Sequence, residues 1–83
     1  MERSSGRPTD GEIDSVVQKY SNMLFKLCFT LLCNGADAED AVADTFFKYV
    51  VHAPVFREEE HRKAWLLKVA SNICHDMHRF RKR

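Results

Sequence analysis

Apolar residues recur at steps of three and four along three successive stretches of this chain. In the first stretch these positions are Ile13, Val16, Val17, Tyr20, Leu24, Leu27, Cys28 and Leu31. In the second they are Ala38, Ala41, Val42, Thr45, Phe46, Tyr49 and Val50, and in the third Trp65, Leu66, Val69, Ala70, Ile73, Met77 and Phe80. A helix places residues at this spacing on one face, whereas a strand with one buried face needs strict alternation. We therefore expect an all-α fold, a small three-helix bundle.

Capping residues mark where the first two helices begin and end. Thr9 and Glu12 stand at capping-box spacing, which predicts the start of the first helix. Asn34 and Gly35 predict a left-handed stop at its end. Asp37 is then expected to cap the second helix, because a carboxylate accepts hydrogen bonds from free backbone amides at a helix start.

Pro54 predicts the end of the second helix, because proline disfavours helical backbone at the residue before it. We expect a loop over residues 52–58 and a third helix whose first turn holds the three glutamates at 58–60, suited to the positive end of the helix dipole. Residues 1–10 lack periodicity and are expected to form a flexible tail. The helical domain is expected to span residues 11–83.

Length and composition exclude several classes of protein. A chain of 83 residues is expected to form one domain at most. It is 45% hydrophobic and 30% charged, which is too apolar for a disordered tail and too charged for a membrane span. No apolar segment follows the charges at the N-terminus, so we expect no signal peptide and a cytoplasmic location. The three cysteines form no CxxC pair, which argues against a disulfide framework.

The net charge of +1 conceals a strong segregation of charge along the chain. Residues 34–60 sum to −5, whereas residues 61–83 sum to +6. An acidic middle followed by a basic end suggests two partners of opposite charge. The alternative is a solvated surface whose two charge blocks attract each other.

Catalytic and metal-binding constellations are weak in this sequence. Cys74 and His78 are four residues apart and can touch on one helix, but nothing in the sequence supplies a pocket or an oxyanion hole. Cys74, His75 and His78 form a small group of potential zinc ligands, yet zinc requires four ligands and Cys28 stands in an apolar stripe. We expect no enzyme, no metal and no cofactor.

The polar side of the third helix carries the pattern most typical of nucleic-acid binding. Lys68, His75 and Arg79 follow helical spacing and can bind phosphates, and Asn72 between them can hydrogen-bond a base edge. Lys82 continues the same row. A plain solvated face would show the same pattern.

Phe56 in the predicted loop has two interpretations. Beside Arg57, Arg62 and Lys63, an exposed aromatic ring could stack on an unpaired base. Equally, the ring could tie the loop to the bundle, which its apolar character favours.

Two segments resemble conserved stretches of the extracytoplasmic-function sigma factors of RNA polymerase. Residues 37–46 are similar to the family's DAEDLVQETF stretch, and residues 63–72 are similar to its RAWLLRIARN stretch. The basic tail at 76–83 and Phe56 at the start of the loop fit the same domain. The likeness covers residues 16–83, and it identifies the chain as sigma factor region 2.

This resemblance implies two binding surfaces. The acidic second helix would dock on the clamp helices of the β′ subunit of core RNA polymerase, through Asp40, Ala43, Asp44, Phe47 and Lys48. The loop and third helix would recognise the promoter −10 element and hold its non-template strand, with a base flipped into a pocket of the loop. The matching DNA-binding positions are Phe56, Arg57, Arg62, Lys63, Lys68, Asn72, His75 and Arg79. An anti-sigma factor typically covers these surfaces in the resting cell.

Two departures from the family pattern suggest an alternative function. Ala43 stands where the family usually has glutamine, and three glutamates at 58–60 occupy a loop that is often small and polar. The alternative is a protein-interaction module, bound by an anti-sigma factor or another regulator, with little DNA binding of its own.

Overall fold

The computed structural model describes residues 8–81, with side chains described for residues 8–79. It contains helix α1 (Asp10–Leu32), helix α2 (Gly35–His52) and helix α3 (Glu59–Arg81). Each helix packs against both of the others, and the described residues contain no strand. The predicted three-helix bundle is therefore confirmed. Within the described part of the chain, no helix has the length and apolar character that crossing a membrane requires.

The start of α1 follows the prediction. The Thr9 hydroxyl accepts a hydrogen bond of 3.2 Å from the backbone N–H of Glu12, and the Glu12 carboxylate accepts one of 3.0 Å from the backbone N–H of Thr9. This reciprocal capping box satisfies two amides that the helix leaves without partners. The expected tail at residues 1–10 falls mostly outside the described residues.

The link between α1 and α2 differs from the prediction. The left-handed residue is Cys33, with φ of 55°, and its N–H donates to the carbonyl of Phe29 at 2.7 Å. Asn34 has extended backbone and caps α2, since its side-chain oxygen accepts from the N–H of Asp37 at 2.9 Å. The expected left-handed stop at Asn34 and Gly35 and the expected cap at Asp37 are therefore wrong. The link is so short that the residue after the stop already caps the next helix, which leaves Asp37 inside the first turn.

The loop between α2 and α3 begins just before Pro54, as predicted. Helix α2 ends at His52, and Ala53 before Pro54 has extended backbone with φ of −61° and ψ of 135°. Helix α3 begins at Glu59. The backbone N–H groups of His61 and Arg62 donate hydrogen bonds to the backbone carbonyl of Glu58. The loop thus spans residues 53–58. Because the helices run up, down and up, this loop lies at the same end of the bundle as the start of α1.

The core is formed by the predicted apolar stripes. The fully or almost fully buried residues are Val16, Tyr20, Leu24, Cys28, Ala38, Ala41, Thr45, Tyr49, Leu66, Ala70 and Cys74. The Thr45 hydroxyl donates to the carbonyl of Ala41 at 2.8 Å, so this buried polar group is satisfied within the helix. Burial, and next the neighbouring Cys74 thiol, raises the pKa of Cys28 to about 12. Both core thiols are therefore unreactive neutral groups that pack as small apolar residues.

Candidate nucleic-acid interface

An aromatic cluster attaches the loop to the bundle. Phe56 stacks parallel to Tyr49 of α2, with ring centroids 6.5 Å apart and planes 5° apart. Trp65 of α3 meets both rings edge-on, at 5.9 Å from Phe56 and 6.1 Å from Tyr49. These offset and edge-to-face arrangements are the favourable ones for aromatic pairs. The contacts support the interpretation that Phe56 ties the loop to the bundle, and the half-buried ring keeps one part open to solvent.

Glu59 joins helices α1 and α3 at the loop. Its carboxylate accepts a hydrogen bond of 2.5 Å from the Tyr20 hydroxyl and another of 2.5 Å from Arg62 Nη1. Lys19 Nζ lies 3.7 Å away. The hydrogen bond from Tyr20 holds the pKa of Glu59 below its ordinary value, with the cations adding to the effect. Burial, and then the hydrogen bond to Glu59, raises the pKa of Tyr20 to about 12.

Arg62 extends this contact to α2 and the loop. Its Nε donates to the Tyr49 hydroxyl at 3.2 Å, and its guanidinium lies 5.3 Å from the centroid of the Phe56 ring. Only 20% of its side chain is exposed. One guanidinium thus contacts an acid, a phenol and an aromatic ring on three different parts of the chain.

Removing the Tyr20 hydroxyl is expected to destabilise the domain and to change its response to alkaline pH. The Tyr20→Phe change should cost about 1–2 kcal/mol at neutral pH, because the hydroxyl donates to a charged carboxylate from a buried position. The folded state raises the pKa of Tyr20 to about 12. Stability from this group is therefore complete below about pH 10 and is lost as pH rises towards 12.

Urea unfolding of both proteins at a series of alkaline pH values measures this effect. The free energy of unfolding should fall more steeply above about pH 10 in the parent than in Tyr20→Phe. Parallel curves for the two proteins would contradict the raised pKa.

A cavity of about 190 Å³ lies beside the loop. Its walls are formed by Pro8, Glu12, Tyr49, Ala53, Pro54, Val55, Phe56 and Arg62. Phe56 gives the cavity an aromatic wall of the kind on which a base stacks, whereas the Glu12 carboxylate and the Arg62 guanidinium are engaged with other groups of the chain. Val55 in the wall is 73% exposed, so the cavity opens directly to solvent.

The predicted row on α3 faces outward. Lys68, Asn72, His75 and Arg79 are all exposed, whereas Leu66 and Ala70 on the other side of the helix have no exposed surface. Arg79 donates to Asp76 at 3.0 Å, but 77% of its side chain remains exposed. Such an exposed pair is weak, so Arg79 is available to an external phosphate. Arg57 in the loop and Lys63 in the first turns of α3 are exposed, whereas Arg62 of α3 is turned inward.

The predicted docking positions on α2 are also exposed. They are Asp40, Ala43, Asp44, Phe47 and Lys48. Phe47 is 66% exposed and Val51, one turn further, is 38% exposed. An exposed aromatic ring next to carboxylates is a frequent feature of protein-binding surfaces.

These two surfaces stay separate. Both lie opposite the buried positions of their own helices, and within residues 8–79 no ion pair joins Asp40 or Asp44 to the α3 row. Among residues 8–79 the acidic and basic segments do meet through the ion pair of Glu59 with Arg62, but neither Asp40 nor Asp44 takes part in it. Both faces are therefore open to other molecules.

The weak metal constellation is not assembled. Cys74 is buried in the core, while His75 and His78 on the same helix are exposed. Among the described residues no three potential ligands come together. Cys74 continues the four-residue steps of Leu66 and Ala70, and that spacing is the signal that predicts its burial.

Sequence reasoning missed three residues of the loop region. Glu59 and Tyr20 form the hydrogen bond between α3 and α1. Tyr49 stacks on the Phe56 ring and accepts a hydrogen bond from the Arg62 guanidinium. The sequence shows Tyr20 and Tyr49 only as core positions.

Comparison with known proteins places the chain in a family. The profile of the sigma-70 region 2 family matches residues 16–83, which is most of the chain. The chain belongs to the sigma-70 region 2 family. It is 28% identical over 67 residues to "ECF RNA polymerase sigma factor SigW" of Bacillus subtilis (strain 168), covering 81% of this chain. No solved structure was found to match.

The match confirms the resemblance to extracytoplasmic-function sigma factors and their helical region 2. This sigma-70 region 2 domain spans 36% of the length of the Bacillus relative. Region 2 is part of a transcription initiation factor, and the two exposed faces of the domain are candidates for its contacts.

Proposed function

We propose that this domain docks on core RNA polymerase through α2 and recognises the promoter −10 element through the loop and α3. The observation that carries the proposal is the pair of separate, exposed faces of opposite character on a sigma-70 region 2 chain. Asp40, Asp44 and Phe47 offer charge and an apolar anchor to a protein. Lys68 offers a cation, Asn72 an amide and His75 an imidazole to DNA.

The cavity beside the loop supports capture of an unpaired base. A base stacks on aromatic side chains with a gain of about 1–3 kcal/mol, and the half-buried Phe56 lines this cavity. Flipping a base out of a duplex costs a few kcal/mol, which one small domain does not supply. Docking on polymerase is therefore as necessary to the function as the contacts with DNA.

Replacing Asn72 tests base recognition on α3. Selection from a random single-stranded library, with the chain bound to core RNA polymerase, first defines the preferred sequence. Asn72→Ala should then weaken binding to that oligonucleotide by about 5- to 150-fold, because a bidentate amide contributes about 1–3 kcal/mol of discrimination. Binding to a scrambled oligonucleotide should not change.

Asn22→Ala is the matched control, since Asn22 is an exposed asparagine on α1. It should leave both affinities as they are. Equal loss on preferred and scrambled sequences in Asn72→Ala would show that Asn72 contacts only the backbone. Selection that yields no preferred sequence would contradict −10 recognition by this chain.

A second candidate function is regulation by a protein such as an anti-sigma factor. A largely apolar groove lies between α1 and α2, formed by Val17, Ser21, Asn22, Phe25, Glu39, Val42, Ala43 and Phe46. At the edge of the groove, Phe29 stacks on Phe25, and Phe29 is 47% exposed. Ala43, at the position where the family usually has glutamine, lines this groove with a small side chain. Polymerase binding without any DNA preference would favour this function.

A further inference from the structure

Arg62 was predicted to bind DNA, yet its contacts are all internal. Its Nη1 lies 2.5 Å from the Glu59 carboxylate, its Nε lies 3.2 Å from the Tyr49 hydroxyl, and its guanidinium covers the Phe56 ring. A phosphate that bound Nη1 would have to displace the carboxylate, which would leave Glu59 with Tyr20 and Lys19 as its partners. The neighbouring cation Lys63 is exposed and meets no such obstacle.

Glu59 is held in turn by a different helix. The Tyr20 hydroxyl donates to it from α1 at 2.5 Å, across 39 positions of sequence. The contacts therefore run from α1 through Glu59 and Arg62 to Tyr49 of α2 and to Phe56 of the loop. All three helices are joined at the point where the loop leaves the bundle.

We propose that Glu59 and Arg62 are positioning residues, which fix the loop and the Phe56 ring for the unpaired strand without touching DNA themselves. The proposal rests on the function proposed above for the loop. It explains why a carboxylate is present at a surface that would bind phosphates: the Glu59 charge is committed to Tyr20 and Arg62. Side chains held in one orientation before binding lose less entropy when the strand arrives.

Glu59→Gln distinguishes positioning from simple electrostatics, because the two predict opposite signs. Removing a negative charge near phosphates should tighten DNA binding, whereas releasing Arg62 and the loop should weaken it. We expect binding of the selected oligonucleotide, with the chain on core RNA polymerase, to weaken about tenfold. Glu60→Gln is the matched control: it removes the same charge from the next residue, which is exposed, and should bind DNA as tightly as the parent or more tightly.

The Arg62 variants test whether charge or geometry matters. Arg62→Met and Arg62→Lys should both weaken binding, because lysine keeps the charge but cannot span both Glu59 and Tyr49. The logarithm of the DNA-binding constant falls with the logarithm of the salt concentration, and the slope of this line should be the same in Arg62→Met as in the parent. In Lys63→Met the slope should decrease in magnitude by about 0.7 if that cation contacts one phosphate. Recovery in Arg62→Lys, or a reduced slope in Arg62→Met, would overturn the proposal.

A readout without DNA separates this proposal from the proposed function. Trp65 is the one tryptophan of the chain and lies 5.9 Å from Phe56. Its fluorescence and its quenching by iodide should change in Glu59→Gln and Arg62→Met, and stay unchanged in Glu60→Gln and Lys63→Met. Changed fluorescence with no DNA binding by any protein would contradict the function while leaving the loop contacts supported. Unchanged fluorescence in folded Glu59→Gln and Arg62→Met would overturn the positioning role.

Discussion

Reversing the charge of Asp40 and Asp44 together should abolish binding of this domain to core RNA polymerase. Both carboxylates are exposed on α2, beside the 66% exposed Phe47, and within residues 8–79 no ion pair holds either of them. Like charges placed against a basic partner surface cost several kcal/mol. Each single change to lysine should weaken binding at least about tenfold, and Asp40→Lys/Asp44→Lys should leave no measurable binding by pull-down or interferometry.

Asp14→Lys provides the control for this experiment. Asp14 is exposed on α1, and its reversal changes the net charge by the same amount as either single change on α2. It should bind polymerase like the parent, and circular dichroism should show the same helical content in every variant. Equal weakening by Asp14→Lys would indicate a general effect of charge, and undiminished binding of the double variant would refute docking through α2.

Truncating Leu66 should unfold a large fraction of the domain near physiological temperature. Leu66 has no exposed surface and lies in α3 among core residues of the other two helices. Leucine to alanine changes at such sites cost about 2–5 kcal/mol, because the lost contacts leave a cavity. Small domains have total stabilities near the lower end of about 5–15 kcal/mol. A decrease in melting temperature of at least about 10 °C is expected.

The adjacent Leu67 gives the comparison. It has the same side chain on the same helix but is only partly buried. Leu67→Ala should cost less than Leu66→Ala in urea unfolding, since part of the Leu67 side chain is already in water in the folded state. Similar decreases in the free energy of unfolding for Leu66→Ala and Leu67→Ala would contradict the position of the core in the structure.

Local sequence patterns predicted the helices of this bundle, but they did not predict which faces of the helices contact one another. The steps of three and four placed Leu24 and Leu66 in the core, and the capping box at Thr9 fixed the start of α1. The start of α2 was ambiguous, because Asn34 and Asp37 are both good capping residues three positions apart. Only the position of the left-handed residue in three dimensions decides between them.

The loop region depends on contacts that no local pattern contains. Tyr20 and Glu59 are 39 positions apart, and their hydrogen bond requires α1 and α3 to present particular faces to each other. Arg62 carries the same charge as Arg57 and Lys63, so composition places all three in one group. Their different burial follows from packing against Tyr49 and Phe56, which sequence spacing does not specify.

The burial of Cys28 and Cys74 gives the chain one accessible thiol. Cys33 is exposed at the link between α1 and α2, whereas the other two cysteines have no exposed surface. A maleimide dye should therefore attach at Cys33 alone while the domain is folded, and at all three positions once it unfolds. Since α1 is 23 residues long, the dye would lie about 30 Å from the loop. It would report on polymerase and DNA by energy transfer without touching the residues that bind them.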